Sequence, residues 1–341
     1  MRDKCILPFL ITERLEFFQL TQADLPELEI LLGDPEIMYA WEHGFTKIES
    51  QAWLNENLRR YSSDGYSYWA VRKKNDGSLI GVMGILKEVA EGKQYIGIGY
   101  ILNKKYWGQG YAGEGTEALC QYAFRKLQLQ TLTAQVRTNN FASQHIAEGL
   151  GMKAMCNFVK IYRGQEMPHF LYTLDRDKWL KTASNGTVII LELEAKKDFL
   201  QLLLLGDEDE KMLDRYLKRG DLFALYKGDL KATVVVTQEK EDVFEVKNLA
   251  VWPQEQRRGY GRFLMTEMCR LYSRLGTRML VGTGDVFETL NFYQACGFTR
   301  SHVIKNFFTD NYPQPIFENG IQLKDMVYLE RFLKNDRRLK K

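Results

Sequence analysis

The sequence predicts two consecutive α/β domains, each built on a mixed sheet, and three observations predict this fold class. A strand, loop and helix segment occurs twice, with the loop glycines Gly110 and Gly259 lying 149 residues apart. Each loop follows an apolar run typical of a strand, at 95–102 and 243–251. Each loop also leads into an amphipathic helix. The apolar stripes of these helices are Leu119, Ala123 and Leu127 in the first copy and Leu264, Met268, Leu271 and Leu275 in the second. A duplicated domain is the simplest explanation.

Both loops place a glycine immediately before the predicted helix. They read Trp107-Gly108-Gln109-Gly110-Tyr111-Ala112 and Gln256-Arg257-Arg258-Gly259-Tyr260-Gly261. Consecutive backbone N–H groups at the start of a helix form an anion site, and glycine lets a pyrophosphate approach the backbone closely. One such loop is a weak signal, because about one accidental match is expected in a few chains of this length. The repetition therefore carries the argument.

The residues downstream of the loops repeat as well. The first copy continues with Asn140-Phe141-Ala142-Ser143 and then Gly151, and the second with Asn291-Phe292-Tyr293 and then Gly297. The later glycine follows the loop glycine by 41 residues in the first copy and by 38 in the second. Chance does not account for two matches at such similar spacing, so the pattern indicates two related domains.

The first domain is predicted to span residues 1–180. Its strands are predicted at 10–20, 66–73, 79–89, 95–102, 152–163 and 166–174, and its early helices at 22–32 and 49–61. Thr46 followed by Glu49 predicts a capping box at the start of the second helix. Asn75-Asp76-Gly77 predicts a hairpin between the second and third strands.

A polar linker is predicted at 181–186, followed by a second domain at 187–341 that ends in a basic tail. The expected strands are 187–193, 222–226, 231–237 and 243–251, and the expected helices are 198–205 and 209–218. The second and third of these strands are predicted to pair across Lys227-Gly228-Asp229.

Composition is that of an ordinary globular protein. The chain has 341 residues, of which 45% are hydrophobic and 27% charged, which is enough for two domains with proper cores. No apolar run approaches the roughly 18 residues of a membrane span, and the first ten residues lack the features of a signal peptide. We therefore expect a cytoplasmic protein that has no membrane partner. The oligomeric state is left open by the sequence.

Cysteine usage and charge narrow the function classes further. The five cysteines have no paired spacing, which favours reduced packing residues over disulfides or a zinc site, so no metal is expected. The net charge of +3 comes from residues 331–341, which alone carry a formal +5. A basic tail of this kind is more often a solvated end than a nucleic-acid arm, so RNA or ribosome contact is not favoured.

With these residues in place, both halves resemble the GNAT superfamily of acetyl-CoA-dependent N-acetyltransferases, and the resemblance covers nearly the whole chain. The first half is similar to the RimJ/RimL branch, which acetylates ribosomal proteins. That likeness rests on Thr12-Glu13-Arg14-Leu15, Tyr39-Ala40-Trp41, the first loop and the Asn-x-x-Ser before Gly151. The second half is similar to a general small-molecule or peptide acetyltransferase domain, with Leu249-Ala250-Val251 leading into its loop.

The resemblance implies acetyl-CoA as cosubstrate and assigns residues to it. In the second domain these are Leu249, Val251, Gln256, Arg257, Arg258, Gly259, Tyr260, Gly261 and Asn291. In the first domain they are Trp107, Gly108, Gln109, Gly110, Tyr111, Ala112 and Asn140.

Acetyl transfer to an amine needs a group that takes a proton from the amine and a group that protonates the leaving thiolate. Glu245 lies 11 residues before Gln256, where the family often carries the base, and strand alternation predicts that it shares a face with Leu249 and Val251. A surface glutamate paired with a lysine is the alternative. Tyr293 is the candidate acid, because a phenol is well matched in pKa to a thiolate. The alternative for Tyr293 is simple core packing.

The first domain departs from this pattern. Ile96 stands at the position of Glu245 and Ala147 at that of Tyr293, and neither side chain exchanges protons. The RimJ-like branch uses the serine of its Asn-x-x-Ser, so the resemblance makes Ser143 the catalytic candidate with Asn140 as its positioning partner. An ordinary helix cap is the alternative for this pair.

The sequence therefore predicts an acetyl-CoA-dependent N-acetyltransferase acting on a primary amine, either of a small molecule or of a protein N-terminus. Two alternatives stay open. One domain, and the first in particular, is catalytically idle and binds coenzyme or acceptor, or the whole protein is a binding module without turnover.

Overall fold

The computed structural model describes residues 7–182 and 186–333, and the chain divides into two units, 1–188 and 189–341. Each unit is a mixed sheet flanked by helices, which confirms the predicted fold class.

The first unit contains eight strands and five helices in its described part. The strands are β1 (Leu10–Ile11), β2 (Leu15–Gln19), β3 (Tyr68–Lys73), β4 (Leu79–Ala90), β5 (Lys93–Leu102), β6 (Thr131–Arg137), β7 (Lys153–Tyr162) and β8 (Gln165–Asp175). The helices are α1 (Leu25–Gly33), α2 (Lys47–Ser63), α3 (Tyr111–Gln121), α4 (Phe141–Gly149) and α5 (Arg176–Thr182). The sheet order is β1-β2-β3-β4-β5-β6-β8-β7, and β5–β6 is its parallel pair.

Local signals in the first unit act largely as the sequence predicts. The Thr46 side chain accepts from the Glu49 N–H and Glu49 reaches back to Thr46, which confirms the capping box. β3 and β4 form the predicted hairpin. The strand predicted at 10–20 is instead interrupted between β1 and β2, where the Thr12 N–H donates to the Leu15 carbonyl and turns the chain.

The second unit contains nine strands and five helices in its described part. The strands are β9 (Thr187–Glu192), β10 (Asp221–Lys227), β11 (Asp229–Lys240), β12 (Val243–Val251), β13 (Arg278–Gly284), β14 (Thr299–Ile304), β15 (Phe317–Glu318), β16 (Ile321–Gln322) and β17 (Met326–Phe332). The helices are α6 (Leu200–Leu203), α7 (Glu210–Leu217), α8 (Tyr260–Tyr272), α9 (Phe287–Ala295) and α10 (Phe307–Asn311). The main sheet has the order β9-β10-β11-β12-β13-β17-β14, with β12–β13 parallel.

The two sheets share one plan. In each, a run of antiparallel strands leads to a parallel pair. The last strand of each unit inserts between the two strands that precede it in the main sheet. They differ at that final hairpin. Arg163 and Gly164 alone join β7 to β8, whereas residues 305–325 separate β14 from β17 and contain α10, β15 and β16.

The parallel pairs separate towards their carboxyl ends. β12 pairs with β13 only from Val243 to Val246, and β5 pairs with β6 at Gly97. The phosphate loops follow the unpaired ends of β5 and β12, so each unit has an opening in its sheet next to its loop. Parallel sheets commonly bind ligands at such carboxyl ends.

Both faces of each sheet are packed. One face of the first sheet holds Ile101 and Leu86 against buried leucines of α1 and α2. The matching face of the second sheet holds Val235 against α6 and α7. The loop helices pack against the other face of each sheet. Helix α3 packs against β4 and β5, and α8 packs against β11 and β12.

The segment between the two units begins with the end of a helix. The proposed linker at 181–186 is partly helical, because α5 continues to Thr182. Residues 183–185, residues 334–341 of the basic tail and Cys5 lie outside the described residues. The four described cysteines are free, and three are buried.

Two features of the described residues concern membrane and metal partners. No helix in 7–182 or 186–333 is long and apolar enough to cross a membrane. In the same ranges, no group of three or more histidine, cysteine or acidic side chains is arranged to hold a metal ion.

Candidate functional site

The two loops adopt the same unusual backbone. Gly108 and Gly110 have φ values of 71° and 78°, and the aligned Arg257 and Gly259 have values of 61° and 88°. Gly110 and Gly259 each occupy the position just before the helix, in the left-handed region. A side chain at such a position is strained, which explains why glycine recurs there. The loops therefore present the N-termini of α3 and α8 to the openings beside β5 and β12, as an anion site requires.

A cavity of about 830 Å³ in the second unit connects the loop to the sheet opening. Its wall is formed by the loop, the end of β12, β13, α9, residues 205–208 between α6 and α7, and the segment 305–325. The predicted coenzyme residues that line it are Leu249, Val251, Gln256, Arg257, Gly259, Tyr260 and Gly261. This cavity brings together most of the set that the sequence assigned to the coenzyme.

Two assigned residues of the second unit lie outside this wall. Arg258 turns to Glu255, with Nη1 3.0 Å from Oε2, and Glu255 also accepts from Lys231 Nζ at 2.6 Å. Asn291 is exposed on α9. Arg258 therefore braces the loop from outside, and Asn291 does not reach the cavity in this structure.

Tyr293 lines the cavity and is only 8% exposed. Burial raises the pKa of its phenol above the ordinary value, so the group stays protonated at neutral pH. Its ring contacts Phe292 and Phe298, which fixes its direction. Within the described chain no group forms a hydrogen bond with its hydroxyl, so the proton is free to be donated into the cavity.

Glu245 lies on the face opposite to the one that alternation predicts. Val235 pairs with Asn248 and Val236 pairs with Val246, so Lys247 is an extra residue, a β-bulge in β12. One extra residue exchanges the faces of everything beyond it. Glu245 therefore faces the side of the sheet that α6 and α7 cover. Leu249 and Val251 face α8 and the loop, so the prediction of a shared face is wrong.

The surroundings of Glu245 contain part of the alternative that the sequence left open. Lys247 Nζ lies 2.8 Å from Glu245 Oε1, so a lysine does pair with it. The glutamate is nevertheless buried, at 6% exposure, and also accepts a hydrogen bond from Tyr328 Oη at 3.2 Å. The carboxylate is therefore held in place by an ion pair and a hydrogen bond.

A cavity of about 680 Å³ in the first unit has the same relation to its loop. The predicted residues that line it are Trp107, Gly108, Gly110, Tyr111, Ala112, Asn140 and Ser143. Gln109 does not line it, because its side chain turns back and donates to the Lys105 carbonyl at 2.8 Å.

The opening motif Thr12-Glu13-Arg14-Leu15 has a structural explanation at this loop. Arg14 Nη1 donates to the Gln109 carbonyl at 2.9 Å, and the Arg14 N–H donates to Glu114 on α3 at 2.9 Å. The Thr12 hydroxyl also donates to Glu114. The motif therefore fastens the loop to its helix and holds the anion site in shape.

Ser143 lines this cavity. Asn140 caps α4 by accepting from the Ser143 N–H at 3.0 Å, so the helix-cap role is present. The Ser143 hydroxyl accepts a hydrogen bond from Tyr100 Oη at 2.9 Å, which leaves its own proton available to another acceptor. Burial raises the pKa of Tyr100 to about 12. Sequence reasoning missed Tyr100, although its place ten residues before Gly110 on an apolar strand was a signal.

A smaller chamber of about 250 Å³ adjoins the first cavity and shares Tyr100, Asn140 and Ser143 with it. Glu88 of β4 and Ile98 and Gly99 of β5 also line the chamber. The position of Ile96 is corrected here. β5 has regular pairing and lacks the bulge of β12, so counting back from the loops makes Gly97, not Ile96, the equivalent of Glu245.

Both units of the chain are similar to known proteins. Residues 14–153 and residues 218–300 match two separate family models, both described as an acetyltransferase (GNAT) domain. The uncharacterized N-acetyltransferase YvbK of Bacillus subtilis is 34% identical over 139 residues, which cover 40% of this chain and 90% of YvbK. This chain belongs to the GNAT family of acetyltransferases.

Further relatives agree in kind. The uncharacterized protein YkkB of Bacillus subtilis is 31% identical over 164 residues, which are 48% of this chain and 93% of YkkB. A Bacillus subtilis acetyltransferase crystallised in complex with CoA is 34% identical, with a TM-score of 0.41, covering 42% of this chain and 97% of its own. Membership of the GNAT family makes the chain an N-acetyltransferase with acetyl-CoA as cosubstrate, and it leaves the amine acceptor unidentified.

Proposed function

We propose that the chain acetylates a primary amine of a small molecule or of a protein N-terminus, and that the second unit carries most of the activity on small amines. The observation that supports this most strongly is the cavity beside the phosphate loop of the second unit. The loop, the end of β12 and Tyr293 line it together, which supports an anion site and a proton donor in one space. A cytoplasmic location stays a prediction.

The loops suit the phosphates of the cosubstrate. Gly259 leaves the start of α8 open, since a Cβ atom there would meet nothing within 4 Å, and Arg257 and Arg262 add positive charge to the same wall. On the side that faces β13, the backbone of β12 is unpaired from Leu249 to Val251, and we assign the peptide groups on that side to the pantetheine arm. We assign the same role in the first unit to Gly108, Gly110 and the start of α3.

Acetyl-CoA supplies a thioester, and the residues of the second unit supply the proton transfers. An alkyl amine has an ordinary pKa near 10.4 and arrives protonated, so a base must take one proton before the nitrogen can attack. We assign that role to Glu245, acting directly or through water from the α6 and α7 side of the opening. Tyr293, kept protonated by burial, gives a proton to the departing sulfur.

The acceptor side of the second cavity supports a cationic acceptor. Its wall contains four carboxylates besides Glu255, namely Asp207, Glu208, Glu288 and Glu318. Acidic walls concentrate cations from solution and steer them inward. A small polyamine or amino sugar fits this charge better than an anionic acceptor.

Turnover and acceptor are tested together by the release of free thiol from acetyl-CoA with a panel of amines, followed by mass spectrometry of the products. Tyr293→Phe removes the proton donor and keeps the ring, so we expect turnover to fall by about 10² to 10⁴. Coenzyme affinity should stay nearly unchanged.

Ser143→Ala is the matched comparison in the first unit. It should leave acetylation of small amines mostly intact if the second unit carries that activity. The assignment is reversed if Ser143→Ala abolishes acetylation and Tyr293→Phe does not. Failure of the whole panel to release thiol would favour the alternative of a coenzyme-binding module.

A further inference from the structure

The chamber of the first unit contains a carboxylate that sequence reasoning passed over. Glu88 lies on β4, opposite Tyr95 of β5, and lines the chamber. Its Oε2 atom is enclosed and has no hydrogen-bond partner among the described residues. Buried polar groups are nearly always paired, so an unpaired carboxylate oxygen that lines a cavity calls for an explanation.

The neighbouring strand is shaped to admit this carboxylate. A Cβ atom placed on Gly97 would lie 2.2 Å from Glu88 Oε2, and one on Gly99 would lie 2.6 Å from the Tyr68 hydroxyl. The two glycines of β5 therefore leave the space that a glutamate and a tyrosine from β4 and β3 occupy. Gly97 is the equivalent of Glu245, so Glu88 brings a carboxylate to the position where the central strand of the first unit carries none.

The groups around Glu88 define its electrostatics. Lys160 from β7 and Arg60 from α2 lower the pKa of the carboxyl, but burial raises it more strongly. Tyr68, His169 and Arg137 also line the chamber. Burial lowers the pKa of His169, so this imidazole is neutral at physiological pH and does not balance the charge of Glu88.

We propose that Glu88 is the general base of the first unit, which takes the proton from an amine bound in the chamber, and that the first unit is therefore an enzyme with its own acceptor site. The inference rests on the proposed acetyltransferase function. It replaces the idle role that Ile96 suggested. Glu88 and Ser143 line the same chamber, and Ser143 also lines the coenzyme cavity, so base, acceptor and thioester have one meeting point.

The proton and electron movements balance. The alkylammonium gives one proton to Glu88, and the freed lone pair forms the bond from nitrogen to the acetyl carbonyl carbon. The bond from that carbon to sulfur breaks, and its electron pair leaves on sulfur. The second surplus proton of the nitrogen reaches the sulfur through Ser143, whose hydroxyl is held by Tyr100. Glu88 then returns its proton to water.

Glu88→Gln in the full-length chain tests the proposal, with Gly259→Glu added to silence the second unit. The acceptors are alkyl amines of the panel and hydroxylamine, which is largely neutral near pH 7 and needs no base. We expect turnover with an alkyl amine to fall by about 10² to 10⁴ and to recover partly as pH rises. Turnover with hydroxylamine should change by less than about tenfold. Equal loss with both acceptors, or no loss, would overturn the proposal.

A second readout needs no acceptor. An unpaired carboxylate with a raised pKa destabilises the fold once pH rises through that pKa, so Glu88→Gln should raise the melting temperature near pH 8 and have less effect near pH 5. Tryptophan fluorescence reports on this unit, because five of the six tryptophans lie in it. A lower melting temperature near pH 8 would show a structural role instead.

Glu91→Gln is the matched control, because Glu91 is exposed in the turn that follows Glu88 on the same hairpin. It should change neither turnover nor melting temperature. If the wild-type chain acetylates amines and the Gly259→Glu chain acetylates none, the first unit is idle and the inference fails alone. If the wild-type chain acetylates none, the proposed function fails with it.

Discussion

Single residues decide the chemistry, and Glu245 is the residue whose role the structure changes most. Its carboxylate is held between Lys247 and Tyr328, on the face of the sheet that α6 and α7 cover. We expect Glu245→Gln to lower turnover on small amines by about 10² to 10⁴ near neutral pH, because the amine then arrives mostly protonated. The loss should shrink as pH rises and more amine is neutral. A pH–rate profile of thiol release measures both effects.

Glu241→Gln is the control for this change, since Glu241 is exposed at the turn between β11 and β12. A profile for Glu245→Gln that is parallel to the wild type at every pH would mean that the carboxylate only pairs with Lys247. In that case the alternative that the sequence left open, a glutamate that only pairs with a lysine, would be right, although the pair is buried and does not lie at the surface.

The sequence predicted the loops and Tyr293 because each depends on local order. Gly110 and Gly259 precede their helices directly, and Tyr293 follows from its spacing to Gly297. The position of Glu88 beside β5 depends on the register between β4 and β5. That register is set by a local feature, because Glu91 and Gly92 form a two-residue turn with positive φ at both positions, which fixes Glu88 opposite Tyr95.

At the scale of elements, the bulge at Lys247 distinguishes the central strand of the second unit, β12, from that of the first, β5. The extra residue Lys247 turns Glu245 to the α6 and α7 face in β12, while β5 stays regular and has Gly97 at the equivalent place. A bulge has no reliable mark in one sequence, because it depends on the pairing partner. Counting residues from the loop therefore gave Ile96, one position away from the true equivalent.

The segment 305–325 is a further element that distinguishes the two units. It contributes Phe308, Tyr312 and Glu318 to the wall of the second cavity, and Glu318 accepts from Thr289. We expect Glu318→Gln to raise the KM for a cationic acceptor by about two- to fivefold, since partly exposed ion pairs contribute ~0.2–1 kcal/mol. Coenzyme affinity should not change.

Asp310→Asn is the control within that segment, because Asp310 is exposed and lies outside the cavity wall. Steady-state kinetics with the amine as the varied substrate give the comparison. An unchanged KM for Glu318→Gln would remove the acidic wall from the account of acceptor binding.

At the scale of the whole molecule, the chain is a duplication in which each unit keeps the loop, the sheet opening and a cavity beside them. The duplication was visible in the sequence because the loop glycines and the downstream glycines repeat in order. In the second unit, the last two strands of the main sheet (β14 and β17) and the helices α9 and α10 were not predicted from the sequence. Their residues follow no strict period, and their places are set by packing on the sheet.

The central claim is that each loop of the duplicated chain holds one coenzyme. Titration calorimetry of the full-length chain with coenzyme A tests it directly. The account predicts about two sites per chain, and Gly110→Glu and Gly259→Glu should each remove one. A side chain at φ near 78° or 88° strains the loop, and a carboxylate there repels the pyrophosphate. A single site that persists in Gly110→Glu would contradict the claim and leave the first loop without a ligand.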